Sequence, residues 1–551
     1  MRWSILGAAV VASALSLPVT VTAQAADPPP PRTLTKAQYH LTNGNTGIID
    51  LATGGDAAEV PGRPTPLVVS LGDSYISGEA GRWAGNSEQR KWSDYTDALG
   101  DSAYADVNGK EAIPGCHRAE GAEIHFGGGV TSVNLACSGA TTATDASAKP
   151  YKPGIDASDT QLHGVKALGQ TALLAHLAQA NRHRIRLVVL SIGGNDFHFG
   201  TIVEKCVKAF LGWGDYCKDN PELQALVDSD SVTARRTEIA GAIGNVYAAM
   251  KSGGYRDEEW TMLVQTYPSP VADSQTIRYP QTYARQFRGG CGFYNADLDW
   301  ANGTVLATVN STVKAAAGDV KAAHPNLRIL DLGPALMGHR LCETGTTVVG
   351  KIEGALWGWD WAPVRAWTQK DAAGMSEWVA QIRAVQTGDP YAQEESLHPN
   401  YWAQKAYQSC LTEAYGSGTV RGGVCSFAGL DRQGLPTMRV DPLFGWEDQL
   451  GELPTLGKPG RGAPHAVRHL RAEDTTAGMR LAWKAPRGKA PVRAYFYHLR
   501  RAGHAWQPWL RAGVSHEVVI PIARPGRYRV TVVAQNEHGS SPSRSAHVRL
   551  R

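Results

Sequence analysis

Several common signatures are missing from this 551-residue chain. Its eight cysteines form no CxxC pair and no HExxH stretch occurs, which argues against a zinc site or a metalloprotease. No run beyond the N-terminus is long and apolar enough to cross a bilayer. No nucleic-acid recognition motif is present, so nucleic acid is not an expected partner. What remains is an ordinary globular composition, with 42% hydrophobic and 19% charged residues.

Residues 1–25 have the pattern of a secretory signal peptide. Arg2 precedes an apolar stretch from Ile5 to Val21, and Ala23-Gln24-Ala25 is a small-residue cleavage site. A membrane anchor is the alternative, but polar residues interrupt the stretch and it is short for a span. We expect the mature protein to be exported, soluble and extracellular.

An even number of cysteines suits an oxidising compartment. Our working hypothesis pairs them in sequence order, although the sequence leaves the connectivity open. The expected disulfides are Cys116–Cys137, Cys206–Cys217, Cys291–Cys342 and Cys410–Cys425.

The chain is too long for a single hydrophobic core, and its composition changes along its length. Residues 26–62 are predicted to be an N-terminal arm, and 63–425 a domain in which apolar runs alternate with helical patterns. The predicted strands are 66–71, 131–137, 186–192, 261–267 and 327–332, and the predicted helices are 160–183, 231–252 and 301–323. This alternation predicts an α/β fold with helices on both faces of a parallel sheet.

Residues 426–462 are predicted to be a linker, and 463–551 a small all-β sandwich of short alternating strands. The spacing of its aromatic residues resembles a fibronectin type III module. In that pattern Trp483 would be a core residue and Tyr528 the tyrosine corner.

Charge divides at the same boundary. From residue 455 onward, 15 Arg and 3 Lys stand against 4 acidic residues, a formal charge of +14, whereas the whole chain carries only +4. Such a basic module predicts attraction to an anionic cell-wall polymer, lipid headgroup or polysaccharide. The alternative is that its arginines only keep a secreted protein soluble.

Four short stretches contain the residues for nucleophilic catalysis. In "PLVVSLGDSYISGEA" an apolar run stops at Ser74, and an acid-bearing loop follows. "NLACSGATT" supplies Gly139, and "VVLSIGGNDFHFG" supplies Asn195, each where an apolar run ends. "EESLHPNYWAQKAYQSC" supplies His398. Because the carboxyl ends of parallel strands share one edge of a sheet, we expect the first three residues to lie together, with His398 closing over them.

This ordered set resembles the SGNH (GDSL) hydrolase family, in particular its secreted actinobacterial esterase and lipase branch, over roughly residues 65–415. The resemblance implies a three-layer, flavodoxin-like α/β/α sandwich. It also implies a serine ester hydrolase that needs no metal or cofactor and acts on an acyl lipid or an acylated polysaccharide. The first three disulfides of our working hypothesis resemble those of that branch.

The resemblance also assigns roles to residues. Ser74 would be the nucleophile and His398 the general base and acid. The oxyanion donors would be the backbone N–H groups of Ser74 and Gly139 and the side chain of Asn195. No GxSxG elbow surrounds Ser74, which disfavours the other large esterase fold.

One departure concerns the histidine's partner. Where much of the family has Asp three residues before the histidine, this chain has Glu395. Either Glu395 or a backbone carbonyl would fix the tautomer of His398 by accepting its Nδ1–H bond. Asp73 and Asp196 are expected to brace turns.

The role of the clustered tryptophans stays open from the sequence. One possibility is that they wall a substrate site, and the other is that they pack against the core; they are tryptophans 357, 359, 361, 367, 378 and 402. Trp83 and Trp92 are candidates for the rim of the entrance.

The activity also stays open from the sequence. An acyltransferase would share every catalytic residue named above. A non-catalytic surface-binding protein on a hydrolase scaffold is the alternative from another class.

Overall fold

The computed structural model describes residues 39–42, 48–51, 53–54, 65–85, 96–441 and 462–550. Within these ranges it leaves out 107–108, 128, 163–164, 213, 347–366, 368, 384–393, 417, 476–477, 489–491, 493, 503–509, 514–515, 521–525 and 537–538. The predicted signal peptide, Trp92 and residues 442–461 of the predicted linker lie outside the described residues. No helix in the described part is both long and apolar enough to cross a membrane.

A mixed sheet organises the residues that the structure describes between 53 and 441. The strands described up to residue 441 are β1 (Tyr39–Thr42), β2 (Ile48–Leu51), β3 (Thr53–Gly54), β4 (Leu67–Gly72), β5 (Thr131–Asn134), β6 (Asp159–Leu162), β7 (Val165–Leu168), β8 (Ile185–Ser191), β9 (Thr261–Gln265), β10 (Leu327–Asp331), β11 (Gly423–Leu430) and β12 (Pro436–Asp441). Eight of them form one sheet in the order β12-β11-β10-β9-β8-β4-β5-β3. The six central strands are parallel, and β12 and β3 pair antiparallel at the two edges. The remaining strands form two separate antiparallel pairs, β1 with β2 and β6 with β7.

Helices cover both faces of this sheet, as predicted for a three-layer α/β/α fold. They are α1 (Ser74–Ser77), α2 (Gln170–Ala180), α3 (Phe199–Leu211), α4 (Pro221–Ala225), α5 (Ser229–Ser252), α6 (Ala284–Phe287), α7 (Asn295–Trp300), α8 (Ala307–Lys321), α9 (Ala372–Met375) and α10 (Tyr401–Tyr415), with a π-helical stretch at Ala301–Leu306 and 3₁₀ turns at Cys217–Asp219 and Asp257–Glu259. Every residue of β4 is buried, and its side chains alternate between two apolar cores. Leu67, Val69 and Leu71 pack in the core that includes α2, α5 and α8, and Val68 packs in the core that includes α3 and α10.

Two sequence expectations differ from the structure. The helix predicted over 160–183 begins only at Gln170, because the residues before it form the β6–β7 pair. The prediction that 426–462 is a linker is wrong for 426–441, where β11 and β12 extend the main sheet. Asp431 and Gly434 lie in the turn between these two strands, and Pro436, Met438 and Val440 of β12 are buried.

Four disulfides join the cysteines in sequence order: Cys116–Cys137, Cys206–Cys217, Cys291–Cys342 and Cys410–Cys425. The last of these links α10 to β11. Strand β11 is therefore covalently tied to the helix that follows His398.

Residues 462–550 form a β-sandwich. Its strands are β13 (Arg468–Thr475), β14 (Gly478–Lys484), β15 (Ala494–Arg501), β16 (Leu510–Gly513), β17 (Glu517–Ile520), β18 (Gly526–Asn536), β19 (Gly539–Ser540) and β20 (Arg544–Leu550). One sheet has the order β13-β14-β17, and the other has β16-β15-β18-β19 with β20 also on β18. Trp483 of the first sheet and Tyr528 of the second are buried in one shared core. The tyrosine-corner role of Tyr528 stays a prediction.

Candidate active site

Ser74 lies where β4 ends at the carboxyl edge of the sheet and α1 begins. Gly72 has φ +142°, and a Cβ there would meet the backbone oxygen of Ser191 at 2.1 Å, so only glycine fits this turn. Asp73 then caps α1, its carboxylate accepting the backbone N–H of Tyr75 at 3.2 Å. The hydroxyl of Ser74 is thus presented by a tight strand-to-helix turn.

The imidazole of His398 contacts that hydroxyl. Its Nε2 lies 2.6 Å from Oγ of Ser74, and its Nδ1 lies 3.0 Å from the carbonyl oxygen of Ser396. A carbonyl can only accept, so the proton resides on Nδ1 and Nε2 is the acceptor for the serine hydroxyl. The arrangement is that of a serine beside a correctly oriented base.

Long-range bonds hold the histidine segment in place. The backbone N–H of Leu397 donates to the Ala380 carbonyl at 3.1 Å, and the N–H of Ala380 donates to the His398 carbonyl at 2.9 Å. The carbonyl of Leu397 also accepts the Tyr75 hydroxyl at 3.1 Å. Two residues on, Asn400 caps α10 by accepting the backbone N–H of Trp402 at 3.0 Å. His398 therefore sits in a loop fixed at several points.

Glu395 does not take the place of a triad acid. Its buried carboxylate accepts the indole N–H of Trp83 at 2.8 Å and a short hydrogen bond from the hydroxyl of Tyr104. The Nδ1 bond of His398 goes to the Ser396 carbonyl instead. Of the two arrangements that the sequence left open, the structure contains the one with a backbone carbonyl, because donors in the core hold the Glu395 side chain.

The predicted oxyanion donors line the same cavity as Ser74 and His398, a space of about 680 Å³. Gly139 has φ +76°, and its backbone N–H and that of Ser74 contact no acceptor among the residues that the structure describes. Asn195 donates one amide hydrogen to the Ala140 carbonyl at 2.9 Å, which leaves the second for a ligand. Three donors thus line the cavity that also contains the serine hydroxyl.

The cavity combines an apolar wall with a charged rim. The wall includes one side of α3, with Phe199, Val203, Val207 and Leu211, together with Leu306, Val309 and Ile382. The rim carries charges of both signs, from Lys152, Glu204, Lys208, Arg383 and Glu394. Such a space suits a ligand that has both an apolar and a polar portion.

The two aspartates near the serine brace turns, as expected. Asp196 accepts the backbone N–H and the hydroxyl of Thr142 at 3.0 and 2.7 Å. Asp73 accepts the Tyr267 hydroxyl in addition to capping α1. Burial raises the pKa of Asp73 to about 7, although these hydrogen bonds oppose the shift.

The tryptophans within the described residues pack in the interior. Trp378 stacks on His339 with ring centroids 4.0 Å apart, and Trp402 donates to the Ala84 carbonyl at 2.9 Å. Trp83 is buried against Glu395 and does not rim the entrance. Trp367 packs edge-to-face on Tyr401, and positions 357, 359 and 361 lie outside the described residues.

Sequence reasoning missed Glu79 as a residue of this site. Its carboxylate is 1% exposed and accepts from His117 Nδ1 at 2.8 Å and from the Ser138 hydroxyl at 2.5 Å. Its Oε2 also lies 3.5 Å from Nε2 of His398. An acidic residue in the loop directly after the serine turn was the available signal.

Comparisons with known proteins add little. No protein-family model matches the chain, and no curated protein matches it. Among solved structures, an extracellular lipase from Streptomyces rimosus is similar at 16% identity and a TM-score of 0.31, over 62% of this chain and 95% of that one. Chicken CNTN1 FN1–FN3 domains match 16% of this chain and 33% of theirs, at 18% identity and a TM-score of 0.15. TM-scores this low carry no argument, so we infer function from the site itself.

Proposed function

We propose that this protein is a serine ester hydrolase that uses Ser74 as nucleophile and His398 as general base and acid. One observation carries the proposal: the 2.6 Å contact between Ser74 Oγ and the acceptor nitrogen of His398, at a cavity of about 680 Å³. Free backbone donors beside a tight serine turn support the same chemistry. The Ser396 carbonyl then serves as the partner of Nδ1, in place of Glu395.

In the proposed mechanism, His398 Nε2 takes the hydroxyl proton as Ser74 Oγ bonds to the ester carbonyl carbon. The carbonyl π electrons move onto oxygen, and the three donors at Ser74, Gly139 and Asn195 stabilise that oxyanion. Collapse expels the alcohol, which takes the proton from His398. Water, activated by the same nitrogen, then releases the acid and restores the serine.

The substrate that we propose is an acyl ester with an apolar acyl portion and a polar or charged remainder, such as an acyl lipid or an acylated polysaccharide. The apolar side of α3 would contact the acyl chain, and the charged rim would face the rest of the molecule. An acyltransferase would use the same residues with a different acceptor.

We further propose that the protein acts outside the cell and that its C-terminal sandwich binds an anionic polymer. Four disulfides and the N-terminal signal pattern support an exported protein. The formal charge of +14 after residue 454 supports an anionic partner.

The function is tested by hydrolysis of p-nitrophenyl esters, from acetate to palmitate, with the purified, disulfide-bonded protein. Ser74→Ala should abolish turnover and labelling by a fluorophosphonate probe, because no other group supplies the nucleophile. Ser311→Ala, at an exposed serine of α8, is the matched control and should leave both unchanged. Wild-type protein that is folded yet neither turns over any ester nor reacts with the probe would contradict the proposal.

A further inference from the structure

Glu79 lies beside the nitrogen of His398 that exchanges the proton. Its Oε2 is 3.5 Å from Nε2, whereas the bond that orients the ring is made at Nδ1, on the other side. The partner at Nδ1 is the carbonyl of Ser396, which fixes the tautomer but carries no full negative charge. A backbone carbonyl therefore leaves the imidazolium without the charge that a triad carboxylate provides.

The Glu79 carboxylate is held rigidly and ionised. His117 Nδ1 contacts Oε1 at 2.8 Å, and the Ser138 hydroxyl donates to Oε2 at 2.5 Å. Burial favours the neutral acid, but His398, His117 and Ser138 outweigh it and hold the pKa of Glu79 below its ordinary value. At neutral pH this carboxylate is a fixed negative charge at the edge of the cavity.

We propose that Glu79 is a positioning residue that stabilises the imidazolium of His398 from the Nε2 side, replacing the carboxylate that a triad would place at Nδ1. The inference rests on the proposed hydrolysis and deepens it. Opposite charges 3.5 Å apart attract strongly when one of them is as fully buried as Glu79, and the attraction exists only while His398 holds the serine's proton. Glu79 itself makes and breaks no bond in the reaction.

Other ionisable groups surround this pair. Asp73, Tyr75 and Tyr104 interact electrostatically with Glu79, and burial raises the pKa of each. Two more carboxylates, Glu111 and Glu394, approach Nε2 of His117 at 3.8 and 3.5 Å. The cavity is also lined by five charged side chains, those of Lys152, Glu204, Lys208, Arg383 and Glu394.

His117 is the neighbour whose own ionisation depends on Glu79. Burial lowers the pKa of His117, but the hydrogen bond and charge of Glu79, together with the charges of Glu111 and Glu394, outweigh it and raise the value above normal. A test must therefore distinguish the His117 signal from that of His398.

The first readout is the pH dependence of ester hydrolysis by Glu79→Gln, with Glu79→Asp and Glu395→Gln beside it. Without the negative charge, His398 holds its proton less tightly, so the acid limb of the kcat/KM profile should move about one unit to lower pH. We expect kcat to fall about tenfold at neutral pH with KM little changed, because the interaction is made in the transition state. Glu79→Asp keeps the charge and should recover part of kcat.

The second readout does not depend on turnover. In protein with ¹⁵N-labelled histidines, the His398 signal is assigned by its loss in His398→Gln, which separates it from His117. Its titration midpoint should fall by about one pH unit in Glu79→Gln and stay constant in Glu395→Gln, whose carboxylate is bound to Trp83 and Tyr104.

An unchanged His398 midpoint in folded Glu79→Gln would overturn the inference, and so would a shift of equal size in Glu395→Gln. If Glu79→Gln does not fold, Glu79→Asp decides: withdrawing the carboxylate by one methylene should lower the midpoint by a smaller amount, and no change overturns the proposal. Wild-type protein without esterase activity would remove the proposed hydrolysis, while the midpoint would still show whether Glu79 acts on His398.

Discussion

At the scale of single residues, the site depends on which atoms have free hydrogen-bonding capacity. The Ser396 carbonyl accepts the Nδ1–H of His398, so Nε2 is left as the acceptor that faces the Ser74 hydroxyl. Asn195 uses one amide hydrogen on the Ala140 carbonyl, which orients the side chain and leaves the other hydrogen toward the cavity. A donor fixed in advance stabilises an oxyanion without reorganising during the reaction.

We therefore predict that Asn195→Ala lowers kcat by about 10² to 10³-fold with little change in KM. Asn245→Ala is the matched control. The amide of Asn245, in α5, also donates to a backbone carbonyl, that of Ile155 at 3.0 Å, but neither residue lines the cavity. Steady-state kinetics on one p-nitrophenyl ester measures both variants. Equal loss of kcat in the two would show that Asn195 acts through stability alone.

At the scale of elements, the decisive junction is the turn from β4 into α1. The close approach of Gly72 to the Ser191 backbone holds β4 against β8 just where Ser74 must emerge. Gln170 from α2 reinforces the junction, bonding both the N–H and the carbonyl of Gly72 at 2.8 Å. The position of the nucleophile is thus a property of three packed elements.

Gly72→Ala is expected to destabilise the fold severely, by about 4 kcal/mol or more, because the added methyl overlaps backbone atoms that cannot move aside. Gly244→Ala, inside α5 with open space around the new methyl, should be neutral or stabilising by up to about 1 kcal/mol. Chemical denaturation measures both. A Gly72→Ala protein as stable as the wild type would mean that the turn is not as tight as described.

At the scale of the whole molecule, charge is unevenly distributed between the two sheets of the sandwich. Strands β15, β16, β18, β19 and β20 contain seven arginines and no acidic residue. The acidic residues of the described strands, Glu473, Asp474 and Glu517, all lie on the other sheet. The register puts Arg500 directly opposite Arg529. Like charges placed directly opposite destabilise a sheet, and an anionic partner would relieve that repulsion.

We predict salt-sensitive binding of the full chain to heparin, used as a model anionic polysaccharide, through this second sheet. The triple variant Arg500→Gln, Arg529→Gln, Arg549→Gln should elute from a heparin column at clearly lower salt. Arg468→Gln with Arg480→Gln, on the other sheet, is the control and should elute closer to the wild type. The wild type and both variants should hydrolyse a small p-nitrophenyl ester at the same rate. If the triple variant elutes at the same salt concentration as the double variant, the second sheet is not the binding surface.

The sequence by itself determined the features that depend on local pattern. Apolar runs ending in glycine turns predicted β4, β5 and β8, and with them the positions of Ser74, Gly139 and Asn195 at one sheet edge. Alternation of strands and helices predicted the three layers, because each face of a parallel sheet needs a cover of helices. The cysteines pair with their neighbours in the chain.

Only the tertiary structure decided the features that depend on distant partners. Glu395 is drawn into the core by Trp83 and Tyr104, some three hundred residues earlier, so a neighbouring carbonyl orients His398. The segment after residue 425 becomes a strand because β11, which joins the sheet by pairing with β10 at Gly423 and Val424, continues into an antiparallel pair with β12. Glu79 meets His398 only when the loop after the nucleophile and the loop before α10 come together, since a charge acts over a few ångströms of space and not along the chain.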